Sequence, residues 1–152
     1  ARPDLIMDVR TAAGMSYLIS LVAMAWFIVM VRWGRWPIRR GSFNVWVNLP
    51  LFAPTAGGDV LFRLQRDARV YIALGFLLPF VIPAVVKATS DLVDPITLEN
   101  PQTLIWTITA WAFLPASMIM RGIAMMRIAS MIEEKRRRAY ATAAEENGFQ
   151  AA

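Results

Sequence analysis

The sequence predicts an all-α integral membrane protein with three transmembrane helices, an interfacial or re-entrant segment and a cytoplasmic helical extension. Three observations carry that prediction. Residues of the AVILMFWYC set make up 57% of the 152-residue chain and charged residues only 18%, with a mean hydropathy of +0.46. A soluble domain this small has too high a surface-to-volume ratio to bury so much apolar area. Three long stretches carry no charge, and the basic residues between them are distributed asymmetrically. Residues 1–152 read as a single membrane domain.

A helix needs about 20 mostly apolar residues to cross a hydrocarbon core of about 30 Å. Residues 12–31, AAGMSYLISLVAMAWFIVMV, meet that requirement between Arg10 and Arg32. A cleaved secretory signal usually has a shorter apolar part followed by a small-residue cleavage site. Here Arg32-Trp33-Gly34-Arg35 follows, so a permanent span is expected. The start at Ala1 fits loss of an initiator methionine, with removal of an upstream leader as the alternative.

The segment after the first span, RWGRWPIRR, alternates cations with aromatic rings: Arg32, Trp33, Arg35, Trp36, Arg39 and Arg40. Tryptophan favours the headgroup zone and arginine reaches phosphates there. Arginine and aromatic residues also serve nucleic acids. Beside a membrane span the expected partner is anionic phospholipid, and no nucleic acid. Residues 42–56, SFNVWVNLPLFAPTA, hold two prolines and two asparagines in 15 positions. Proline removes a backbone donor, and lipid offers no substitute. An interfacial or re-entrant segment with Trp46 near the headgroups is expected. A fourth span is the rival, and it would reverse the threading on one side of it.

Gly57-Gly58 lacks the spaced glycines and the Lys-Ser/Thr pair of a phosphate loop. Asp59 is expected to cap a helix over residues 60–69, with Val60, Leu61, Leu64 and Ala68 on one side and Arg63, Arg66, Asp67 and Arg69 elsewhere. This reads as an amphipathic helix on the cytoplasmic surface, running into the second span. That span, residues 70–86, is short enough to call for a start one turn earlier. Pro79 and Pro83 within it, and Pro115 in the third span, are expected to kink their helices. Packing geometry, rather than gating, is the expected use of the kinks.

The connection DLVDPITLENPQ is polar, and Asn100-Pro101 marks a turn before the third span. Asp91, Asp94 and Glu99 match no calcium-loop spacing, so they read as solvated. The third span covers residues 103–120 and is expected to continue as a helical tail over residues 121–138, with Gly122 its weak point. Met125, Ile128, Met131 and Ile132 form an apolar stripe on that tail, expected to pack on headgroups or on a neighbouring subunit. Glu133 and Arg137, and Glu134 and Arg138, are placed for i to i+4 ion pairs. Arg136, Arg137 and Arg138 are expected to meet anionic headgroups. The final stretch after Ala139 has little soluble mass around it, so other subunits are expected to hold it.

Short basic loops stay cytoplasmic. Seven basic residues lie between Arg32 and Arg69, none between Ala88 and Gln102, and six from Arg121 onward. This distribution predicts a bacterial inner membrane protein with a periplasmic N-terminus and a cytoplasmic C-terminus.

Composition also excludes chemistry. Without histidine the chain has no imidazole ligand for haem, zinc or chlorophyll and no histidine general base. Without cysteine it has no disulfide, thiolate metal site or thiol nucleophile. The spans carry no ionisable residue, which disfavours proton relays and pumps. Ser16, Ser20, Thr107, Thr109 and Ser117 are expected to hydrogen-bond between helices. The nine methionines are scattered, as packing and lipid contact require, rather than grouped for copper. No catalytic residue, metal ligand or cofactor is expected.

The expected role is a non-catalytic accessory or structural subunit of a multi-subunit inner-membrane complex. A secretion or conjugation apparatus leads, with respiratory and photosynthetic complexes as other settings. Expected partners are other membrane subunits and anionic phospholipid, with homo-oligomerisation as a further possibility. One rival is a small oligomeric channel or carrier flexing at Pro79 and Pro83. Another is a lipid-modifying enzyme using Asp91, Asp94 or Glu99.

Overall fold

A computed structural model describes residues 3–34, 36, 57–89 and 100–150. All but three of these are helical, in α1 (Pro3–Trp33), α2 (Gly57–Thr89) and α3 (Pro101–Gln150). Each is long and apolar enough to cross a membrane, with best-window mean hydropathies of 2.1, 2.1 and 1.5. Each contains one of the expected spans. The expected interfacial segment at 42–56 lies outside the described residues.

The helix ends follow from local chemistry. α1 begins on Pro3, where a missing N–H costs nothing, has Asp4 in its first turn and Arg32 in its last. Gly34 closes it by donating its N–H to the Met30 carbonyl at 3.0 Å. α2 starts at Gly57, so Asp59 lies inside the first turn rather than ahead of the helix as its cap. The amphipathic segment and the second span are therefore one continuous helix. Asn100 caps α3: its side-chain oxygen accepts from the Gln102 N–H at 2.9 Å and its carbonyl from the Leu104 N–H at 3.0 Å. Pro101 then occupies the first helical position.

α3 runs for 50 residues, about 75 Å at the standard rise, and passes the expected end at Arg138 by twelve residues. Alanine-rich sequence and the absence of proline after Pro115 let it continue.

α3 is the shared element, packing against both α1 and α2. Its contacts with α2 step in opposite directions along the two chains. Leu61 and Leu64 meet Met131 and Ile132, and Gly75 meets Pro115 and Ile119. Pro79 meets Trp111. The pair is antiparallel over its whole length. On α1, Tyr17 meets Trp111, and the inward positions Ser20 and Val31 follow it. Only the C-terminal direction of α3 offers helix for that length, so α1 and α3 run parallel.

Among the described residues, small side chains make up half of the buried apolar positions. Ala68, Ala112, Ala116 and Ala129 are almost fully buried, while Trp26, Phe76, Phe80 and Trp106 are each about 70% exposed. Large apolar residues outside and small ones at the contacts are the arrangement hydrocarbon favours, because helices there associate by close packing. One expectation is corrected. Over Ile128, Met131 and Ile132 the stripe on the α3 extension is covered within the chain, since Met131 and Ile132 are buried against Leu61 and Leu64 of α2, with Ile128 alongside. The amphipathic start of α2 supplies the apolar cover.

Candidate functional site

The two glycines of the α2–α3 contact are reciprocal. A Cβ built on Gly75 would stand 2.6 Å from the Pro115 carbonyl oxygen and 2.6 Å from Ile119 Cγ1. A Cβ on Gly122 would stand 2.7 Å from the Ala68 carbonyl oxygen and 2.6 Å from Ile72 Cγ1. Each glycine lets the other helix's backbone approach at a distance that no side chain permits. Gly122, expected to be a weak point, is a contact point.

A second junction lies farther along the pair. A proline at position i leaves the carbonyl at i−4 without its helical donor. Pro83 does this to Pro79, and the indole Nε1–H of Trp111 on α3 donates to that carbonyl at 3.0 Å. The Trp111 ring also meets the Tyr17 ring of α1, with centroids 5.6 Å apart and planes tilted by 31°. Trp111 thus ties all three helices together at one level. Its tilted ring contact is of the favourable aromatic type.

Beside this junction is a cavity of about 470 Å³ between the three helices. Ala13 comes from α1, Ile82, Pro83 and Val86 from α2, and Ile108 and Leu114 are among those from α3. Its walls are almost wholly carbon. The Thr107 hydroxyl and the Trp111 indole are the polar side-chain groups among its lining residues. Among the described residues no cluster of three or more carboxylates is placed to hold a metal ion. Asp91, Asp94 and Glu99 lie outside the described residues.

No family model, curated protein or solved structure matches the chain.

The expected headgroup residues fall in two places. Arg32, Trp33 and Trp36 are exposed around the end of α1, with Trp33 82% exposed. Arg35, Arg39 and Arg40 lie outside the described residues. Arg136, Arg137 and Arg138 belong to the α3 extension, where Arg138 pairs with Glu134 in the expected i to i+4 order. Arg137 lines a shallow polar hollow with Ser130, Glu133 and Glu134. Arg121, at the end of the third span, lies over the Tyr71 ring with 5.6 Å from its guanidinium carbon to the centroid. Such a cation–π contact joins α3 to α2 where the span ends.

Two of the hydroxyls expected to bridge helices turn inward to their own backbone instead. Ser20 donates to the Tyr17 carbonyl at 2.7 Å and Ser117 to the Leu114 carbonyl at 2.7 Å. Ser20 is buried because it is small, and its own helix satisfies its hydroxyl. Sequence reasoning missed Gly75 altogether and gave Trp111 no specific role. A signal for Trp111 existed: Pro83 announces an orphaned carbonyl at position 79, which calls for a donor from another helix.

Proposed function

We propose that this membrane-embedded helical protein is a non-catalytic structural subunit of a multi-subunit bacterial inner-membrane complex. The observation that carries the reading is the end of α3. From Ala139 to Phe149 every residue is exposed, including Tyr140 at 71% and Phe149 at 86%. An isolated helix this short is marginal in water, and one without a buried face is suited to bridging between bodies. The tail therefore presents itself to a partner outside the membrane, while α1 to α3 hold it at a fixed distance from the bilayer.

The N-terminus lies in the periplasm and the tail in the cytoplasm, as the distribution of basic residues supports. Arg32, Trp33 and Trp36 anchor the end of α1 among anionic headgroups. A secretion or conjugation apparatus is the favoured setting, because the chain lacks the histidine and cysteine that hold redox centres. The test is purification from native membranes in mild detergent, followed by mass spectrometry. Other membrane proteins are expected at fixed stoichiometry, and truncation after Arg138 is expected to release them. A pure homo-oligomer that conducts solute in liposomes would instead establish a channel or carrier.

A further inference from the structure

We propose that the end of α3 docks a helix of a cytoplasmic subunit, which takes the place of α2 beyond Gly57 and sets carboxylates opposite Lys135 and Arg138 and a cation opposite Glu145. The inference rests on the subunit reading and names the kind of partner it requires. It starts from the seam between α2 and α3. Met131 of α3 is buried against Leu61 and Leu64 of α2, with Ile128 alongside. The three- and four-residue spacing of Ile128 and Met131 continues through Lys135, Arg138, Thr142, Glu145 and Phe149. In a continuous helix that spacing keeps all seven on one face. α2 runs antiparallel to α3 and begins at Gly57, four residues before Leu61, so its cover ends about level with Lys135. Beyond that point Arg138, Thr142, Glu145 and Phe149 are all exposed. The open stretch is thus the continuation of a packed helix seam.

The order of charges selects the occupant. The seam has Lys135 and Arg138 at its membrane end, with Arg136 and Arg137 beside them, and Glu145 and Glu146 at its far end. Glu134 holds Arg138 in an exposed ion pair, a contact weak enough to exchange for a partner's carboxylate. Arg121 is the first charge after the third span. Lys135 lies about 21 Å farther along α3 at the standard rise, and a tilt of about 40° still leaves about 16 Å. Headgroups reach only about 5–8 Å beyond the hydrocarbon, and exposed charges more than about 8 Å apart are screened. The cations therefore stand clear of the bilayer. Residues 35–56, the chain's own stretch ahead of α2, hold three arginines and no carboxylate, so they do not complement the cations. A second copy in the same membrane brings its tail in parallel, with Arg138 against Arg138 and Glu145 against Glu145, and like charges set opposite one another are costly. A nucleic acid suits Lys135 to Arg138 but meets Glu145 and Glu146 with its own sign. A helix with acids near the bilayer and a base beyond them matches both ends, and its apolar side chains cover Phe149. Charged seam positions of this kind set partner choice and register.

The test uses the full chain in native membranes, with the photo-cross-linking residue benzoylphenylalanine incorporated at position 142. One adduct with another protein is expected, at a mapped segment rich in carboxylates. A chain carrying Arg137→Glu, Arg138→Glu, Glu145→Lys and Glu146→Lys keeps its net charge but reverses the order, and is expected to lose the adduct at least tenfold. Reversing the charges of the mapped segment is expected to restore it. Moving the cross-linker to position 140, on the opposite face of the helix, is expected to lower the yield at least fivefold. Where the order-reversed chain fails to fold, Glu145→Lys alone, at an exposed position, is expected to lower the yield several-fold. Equal yield in the native and altered chains would overturn the proposal, as would an adduct formed only with lipid, nucleic acid or a second copy. Co-purification separates this inference from the subunit reading. A native chain that holds subunits at fixed stoichiometry but gives no charge-dependent adduct overturns the inference and leaves that reading standing. A native chain that holds no subunit overturns both.

Discussion

Pro83 removes the donor that the Pro79 carbonyl needs, and Trp111 replaces it from the neighbouring helix at 3.0 Å. Prolines are tolerated in membrane helices where a neighbour satisfies the freed backbone. The same indole packs on Tyr17, so one side chain repairs α2 and recruits α1. The prolines of α2 are thus part of how the three helices recognise one another.

That relationship predicts a coupling. Trp111→Phe keeps an aromatic ring against Tyr17 but deletes the N–H, and should cost about 1–3 kcal/mol, the range for stranding a buried acceptor. In a Pro83→Ala background the backbone N–H restored at position 83 serves the Pro79 carbonyl, and the same Trp111→Phe change should cost less than half as much. A double-mutant cycle on unfolding in detergent measures the difference. Equal costs in the two backgrounds would show that the hydrogen bond carries no stability.

The reciprocal glycines predict a contrast. Gly75→Ala and Gly122→Ala each drive a methyl group into a backbone carbonyl at less than 2.8 Å, and overpacking of this kind costs about 1–3 kcal/mol. Gly14 has nothing within 4 Å of its Cβ position, so Gly14→Ala should be neutral or stabilising by up to about 1 kcal/mol from helix propensity. Melting temperatures of the three variants in one detergent read the order directly.

How much of this was legible beforehand depends on where the information sits. The three spans were readable because length and hydropathy are local properties, and residues 12–31, 70–86 and 103–120 each fall within one helix. The start of α2 lies three residues before the expected one at Val60 because Gly57 and Asp59 both suit a helix beginning, and the sequence does not rank them. Gly122 looked like a flaw because a glycine's value in a membrane helix depends on which backbone approaches it. Ala68 and Ile72, its partners, are about fifty residues away in sequence. The stripe at Met131 and Ile132 was recognised, but its cover at Leu61 and Leu64 required knowing that α2 runs antiparallel beside α3 outside the membrane as well as within it.

The packing outside the span gives a third prediction. Ile132 is 4% exposed, and Ile132→Asp places a charge in that contact, a change costly unless the helices separate. Trypsin should cut the native chain first in the exposed stretch around Arg137 and Arg138. In the Ile132→Asp protein it should also cut at Arg127 and Arg63, at rates raised by about tenfold or more, corresponding to a loss of at least ~1.4 kcal/mol of local stability. Unchanged cleavage would mean that the extension does not depend on this contact.

The account rests on three crossings that put the two ends of α3 on opposite sides of the bilayer. The chain contains no cysteine, so single cysteines at Gln102 and Thr142 report position without interference. In intact cells with a permeabilised outer membrane, an impermeant maleimide is expected to label the cysteine at 102 and to reach the one at 142 only after the inner membrane is opened. Labelling of both positions without opening the inner membrane, or of the one at 142 alone, would contradict the account.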